Sequence, residues 1–72
     1  MSNIDQFVYA ARSGDYNLVS SLLSRGINID GKDRSGDTAL IDASRSGNER
    51  VVSLLIERGA NIDIQESDVR IL

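Results

Sequence analysis

Three aspartates lie close together near the middle of the chain, where carboxylate chemistry would be concentrated. Asp30, Asp33 and Asp37 occupy relative positions 1, 4 and 8 of this stretch. A calcium loop of the EF-hand type needs oxygen ligands at about positions 1, 3 and 5 and a glutamate at about position 12. Because the spacing does not fit, we predict turn and capping roles for these carboxylates and no metal site.

The same stretch contains a glycine-lysine pattern that resembles a phosphate-binding loop. Gly26, Gly31 and Lys32 fit the pattern Gly-x4-Gly-Lys, but Asp33 stands where a serine or threonine must hold magnesium. A phosphate loop also follows a strand, whereas this segment follows a predicted helix. Nucleotide binding is therefore not predicted.

The sequence lacks the side chains that most often carry out nucleophilic and acid-base catalysis. The chain of 72 residues contains no histidine and no cysteine, which removes Ser-His pairs, Cys-His pairs and thiolate metal ligands. Paired carboxylates for glycoside chemistry would need a cleft, which small helical hairpins do not provide. We therefore predict no enzymatic activity and no cofactor.

The length and composition of the chain indicate one small domain with an excess of acidic over basic residues. The net charge is -3 and the isoelectric point is about 4.6, which argues against a nucleic acid partner. The sequence has no apolar run of about 18 residues and no signal-peptide pattern at its start. We expect no membrane association and a cytoplasmic or nuclear location.

The elements that position these residues are built from a repeat. Residues 10–30 and 43–63 share 12 identities in 21 positions, and every matched pair is 33 residues apart. Each unit has the pattern of two helices, in which Gly14 and Gly47 end the first helix while Asp15 and Asn48 cap the second. The predicted helices cover residues 4–13, 16–25, 38–46 and 49–58.

Between the two units, residues 33–36 have the composition of a type I turn, with Asp33 at the first position and Gly36 at the fourth. This turn joins the second helix of one unit to the first helix of the next. Ile29, just before it, is the candidate core residue of the connecting segment.

The segment Gly-Asp-Thr-Ala-Leu-Ile-Asp-Ala at residues 36–43 resembles the Thr-Pro-Leu-His-x-Ala signature of the ankyrin repeat, whose period is also 33. Ala39 replaces the proline and Ile41 replaces the histidine, while residues 45–63 follow the rest of the pattern closely. The resemblance implies an all-α ankyrin-repeat solenoid of two helix-turn-helix units with a short β-turn loop between them. The units cover about 1–33 and 34–66, and residues 67–72 would begin a truncated third unit.

In the ankyrin family, the turn tips and the exposed sides of the first helices form a concave face that binds partner proteins. Carried over to this sequence, the resemblance implies partner-binding roles for Tyr9, Arg12, Lys32, Arg34, Ser35, Asp37, Asp42 and Arg45. Tyr9 is the strongest single candidate, because an exposed tyrosine provides a large contact area at a low entropic cost. Arg12 and Arg45 occupy equivalent positions and could instead bridge carboxylates between the units.

At the C-terminal end, Val69 and Ile71 stand where the glycine and threonine of a third unit would be. Two units therefore leave an uncovered apolar end, with candidate residues Val52, Leu55, Ile62, Ile64, Val69, Ile71 and Leu72. Either the tail folds back as a cap, or two chains stack through this end, or the chain is an excerpt of a longer array. The principal prediction is a module that binds another protein, and the alternative is a homo-oligomerisation element.

Overall fold

The computed structural model describes residues 2–62, and within them it contains four α-helices and no strand. The helices are α1 (Asn3–Ser13), α2 (Tyr16–Ser24), α3 (Ala39–Ser46) and α4 (Glu49–Glu57). Each bound lies within one residue of the predicted one. None of these helices is both long enough and apolar enough to cross a membrane.

The first helix of each unit begins at a side-chain cap and ends at a glycine. Ser2 Oγ accepts a hydrogen bond from the Asp5 amide at 3.1 Å, and the Asp5 carboxylate accepts one from the Ser2 amide at 3.4 Å, which forms a capping box. Thr38 caps α3 by accepting from the Ile41 amide at 3.2 Å. These local signals explain why the predicted helix starts are nearly correct.

The helices form two layers that hold the core between them. Helices α1 and α3 pack side by side, α2 packs against α4, and each unit's two helices also contact one another. The alanines at equivalent positions 10 and 43 are buried and allow this close approach. The largest fully buried side chains are Phe7, Val8, Val19, Leu40, Val51 and Leu55. Ile29 is half-buried against this core, as predicted.

Leu55 was predicted to lie on an uncovered apolar end, and this prediction is wrong. Its side chain is fully buried and belongs to the main hydrophobic cluster. Helix α4 carries five apolar residues, and the sequence pattern alone does not distinguish those facing the core from those facing outward. Val52 is half-buried, and Ile62 is exposed.

The predicted turn between the units is closed by one backbone hydrogen bond within it and by a second set of contacts around Asp33. The Gly36 amide donates to the Asp33 carbonyl at 3.0 Å, and the Asp33 amide donates to the Asp37 carbonyl at 2.9 Å. Asp33 Oδ1 accepts from the amides of Ser35 at 2.9 Å and Asp37 at 3.0 Å. The structural role predicted for Asp33 is therefore confirmed, and the turn tip is fixed relative to α3.

Candidate functional site

An open groove of about 380 Å³ lies between α1 and the turn that joins the units. Its lining residues are Asp5, Tyr9, Arg12, Asp33 and Arg34. Tyr9 is 57% exposed, which makes it the most exposed large apolar side chain in the described part of the chain. The groove therefore combines an accessible aromatic ring with charged groups from two elements.

Arg34 connects the turn to the first turn of α1. Its Nε lies 3.3 Å from Asp5 Oδ2, and its backbone amide donates to Asp5 Oδ1 at 3.3 Å. Partial desolvation raises the pKa of Asp5, but the hydrogen bonds from Ser2 and Arg34 outweigh it and hold that pKa below its ordinary value. One carboxylate thus caps α1 and also orients the turn.

Arg12 anchors the opposite side of the groove across the joint between the units. Its Nε and Nη2 donate to one oxygen, Oδ2 of Asp42, at 3.2 Å and 3.0 Å. Its guanidinium also lies 5.9 Å from the centroid of the Tyr9 ring, within cation-π range. The hydrogen bond to Asp42 raises the pKa of Arg12 above its ordinary value. The sequence-based alternative, that Arg12 bridges to a carboxylate of the next unit, is confirmed.

Asp42 is the buried member of this pair. Burial raises the pKa of its carboxyl group, the hydrogen bond from Arg12 opposes that rise, and neighbouring Asp37 adds to it. Arg45 Nη1 lies 3.3 Å from Asp37 Oδ2 and 3.9 Å from Asp42 Oδ1. Two arginines therefore compensate two adjacent carboxylates.

The prediction that Asp37 and Asp42 contact a partner directly is wrong, because both residues are buried. Their carboxylates instead hold Arg12 and Arg45 in place. For Asp42 the sequence could not reveal this, since an aspartate on a first helix is usually solvated and its arginine partner here is 30 residues away.

Carboxylate oxygens of Asp33, Asp37 and Asp42 lie within 4.8 Å of one another. Their contacts are those expected of structural carboxylates: Asp33 accepts two backbone N–H groups, and the other two accept from arginines. The cluster is thus satisfied by protein donors.

The remaining residues that were predicted to bind a partner or to mediate self-association are either exposed or lie outside the described residues. Lys32 and Ser35 are exposed at the turn tip, and Arg45 is an exposed residue that contacts Asp37 and Asp42. Of the residues predicted for self-association, Ile64, Val69, Ile71 and Leu72 lie outside the described residues.

Asn48 has a role that sequence reasoning missed. It was predicted to cap α4, but its side chain makes no capping hydrogen bond there. Its Nδ2 instead donates to the carbonyls of Ala11 at 2.9 Å and Arg12 at 2.7 Å, at the C-terminal end of α1. No local signal in the sequence identifies these acceptors, because they belong to the preceding unit.

Two stacked helix-turn-helix units with a 33-residue period define a helical repeat protein. A family model described as "Ankyrin repeats (3 copies)" matches residues 5–66. The chain belongs to the ankyrin repeat family. That description counts three repeats, while the period of this chain accommodates about two in the matched range. Among curated proteins, no match was found. Ankyrin repeats are generally protein-protein interaction modules and are typically non-enzymatic.

Proposed function

We propose that this protein is a non-enzymatic interaction module that binds a partner protein in the groove between α1 and the turn. The contact residues in this proposal are Tyr9, Arg12 and Arg34, with Lys32 and Ser35 at the turn tip. The observation that carries it is the anchoring of both groove arginines on carboxylates that are largely shielded from solvent. Exposed functional groups are thereby held in place before any partner arrives.

Anchoring matters because binding must offset the conformational entropy of the side chains that it immobilises. An interface side chain that becomes fixed costs about 0.5–1.5 kcal/mol. Arg12 already has its Nε hydrogen-bonded to Asp42, Arg34 forms an ion pair with Asp5, and the Tyr9 ring lies 5.9 Å from the Arg12 guanidinium. Tyrosine and arginine are also the residue types that are enriched among the dominant contacts of protein interfaces.

Self-association through the C-terminal end is a second proposal, supported by the exposure of Ile56 and Ile62. It predicts a dimer mass in light scattering at micromolar protein concentration. A strict monomer would exclude it and leave the groove proposal unaffected.

The groove proposal is tested by affinity capture with quantitative mass spectrometry. The variant Tyr9→Ala/Arg34→Ala should lose the captured partner, because it removes the exposed ring and the outermost guanidinium. The matched control Ile56→Ala/Arg50→Ala removes one large apolar side chain and one arginine from α4, and it should retain the partner.

Thermal unfolding provides the necessary check on folding. Substitution at exposed Tyr9 and Arg34 should change the free energy of unfolding by no more than about 0.5 kcal/mol each. A partner that both variants retain would contradict the groove proposal. Loss in both variants would place the interface elsewhere or spread it over both faces.

A further inference from the structure

We infer that the partner segment bound in the groove is acidic, with aspartate or glutamate carboxylates that pair with Arg34 and Arg12 beside an apolar residue on Tyr9. This inference rests on the proposed function and specifies the chemistry of the partner. It depends on which charged groups of the groove are exposed to a partner and which are buried, and the net charge of the chain does not reveal this.

The arginine side chains of this surface are exposed to solvent, whereas the aspartates that pair with them are largely buried. The side chains of Arg34 and Arg12 are 84% and 51% exposed, whereas those of their partners Asp5 and Asp42 are 13% and 3% exposed. Lys32 adds a further exposed cation next to the turn. A partner therefore meets cations first, and the compensating acids lie beneath them.

The arginines retain hydrogen-bond donors for a carboxylate. A guanidinium carries five N–H donors and binds carboxylates in a two-pronged manner. The contacts described above use Nε and Nη2 of Arg12, both on a single oxygen, and only Nε of Arg34. The terminal nitrogens of Arg34 and Nη1 of Arg12 provide the remaining donors.

Hydrogen-bond donors of the protein reduce the repulsion that the two acids lining the groove would present to such a partner. Asp5 accepts hydrogen bonds from the amides of Ser2 and Arg34 and forms an ion pair with the Arg34 guanidinium, and Asp33 Oδ1 accepts two backbone N–H groups. The net charge of -3 acts against an acidic partner at long range. At physiological salt, that field is screened beyond about 8 Å, so the local pairs dominate at contact.

The experiment is a selection from a random peptide display library with the folded protein as bait, followed by anisotropy titration of the selected peptides. The charge variant Lys32→Gln/Arg34→Gln keeps the Arg12–Asp42 pair intact, so folding is preserved. The matched control Arg50→Gln/Arg58→Gln removes two exposed cations from the α4 side.

We expect the selected peptides to be enriched in aspartate and glutamate over the input library. The charge variant should weaken their binding about tenfold, because it removes the more exposed of the two pairing arginines together with the neighbouring cation Lys32. The control should weaken it less than about twofold.

Two results would overturn the inference, and they are distinguishable. Peptides without acidic enrichment whose binding still requires Tyr9 would show that the groove binds a partner of another chemistry. Peptides, acidic or not, that bind the Tyr9→Ala/Arg34→Ala variant as well as the unmodified protein would overturn the proposed function together with the inference.

Discussion

The two repeat units have nearly the same sequence, but equivalent residues have different roles at the joint between them. Asp15 caps its own helix by accepting from the Leu18 amide at 3.2 Å, whereas Asn48, at the equivalent position, binds carbonyls of the preceding unit. Arg12 also reaches forward to Asp42 of the second unit, and the contacts of Arg45 include two carboxylates of its own unit. The local repeat determines the helices, and the presence of a neighbour determines which side chains connect them.

The same contrast applies to the candidate site. Tyr9 and Asp42 occupy equivalent positions 33 residues apart, yet Tyr9 is exposed and Asp42 is buried under Arg12. The groove therefore has no duplicate within the described residues of the second unit, since its ring, its anchored arginine and its turn come together only at this joint. The joint, more than either unit, therefore defines the proposed binding groove.

The largest expected effect is the loss of the Asn48 side chain. Asn48→Ala removes two hydrogen bonds across the joint, although the Ala11 carbonyl keeps the Gly14 amide as a donor at 3.2 Å, and we expect a loss of about 2 kcal/mol in the free energy of unfolding. Asp15→Ala removes an ordinary helix cap and should cost about 1 kcal/mol. Urea unfolding monitored by circular dichroism measures both values.

Asn17→Ala is the control for this pair, because Asn17 is exposed on α2 and has no contact with the other unit among those described. It should change stability by less than about 0.5 kcal/mol. Equal losses for Asn48→Ala and Asp15→Ala would contradict the view that equivalent residues have different roles at the joint.

A smaller difference is expected between the glycines that end α1 and α3. Gly14 and Gly47 both have left-handed backbones, with φ of 77° and 73°, so an alanine at either position is strained by about 1–2 kcal/mol. A Cβ at Gly14 would also lie 3.0 Å from Asn48 Oδ1, whereas a Cβ at Gly47 has open space. Gly14→Ala should therefore cost about 1 kcal/mol more than Gly47→Ala.

A double-mutant cycle tests the cause of that difference. In the Asn48→Ala background, Gly14→Ala should cost no more than Gly47→Ala does in the unmodified protein, because the obstructing side chain is gone. An unchanged excess would mean that the Gly14 position is strained for a reason unrelated to Asn48.

The contrast between units also explains how far the sequence could predict the structure. Helix bounds were within one residue because glycines and capping side chains act on their immediate neighbours. The roles of Asn48 and Asp42 were not predicted, since their partners lie 30 or more residues away in the other unit. The sequence predicts Tyr9 and Arg34 as exposed residues of the groove. The burial of the aspartates beneath the arginines could not be predicted, because it depends on how the two units pack at the joint.

The smallest expected effect is a difference in pH dependence between Asp5 and Asp42. The pKa of Asp42 is raised in the folded state above its ordinary value of 3.8, so folding binds an extra proton between those two values and stability falls as pH rises through that window. The pKa of Asp5 is lowered below 3.8, so stability falls as pH decreases through the window just beneath that value.

Urea unfolding of Asp5→Asn and Asp42→Asn between acidic and neutral pH isolates each contribution by subtraction from the unmodified protein. The two difference curves should have opposite slopes, the Asp5 curve below pH 3.8 and the Asp42 curve above it. Slopes of the same sign would show that Arg12 outweighs burial at Asp42, and that the two carboxylates anchor their arginines in the same way.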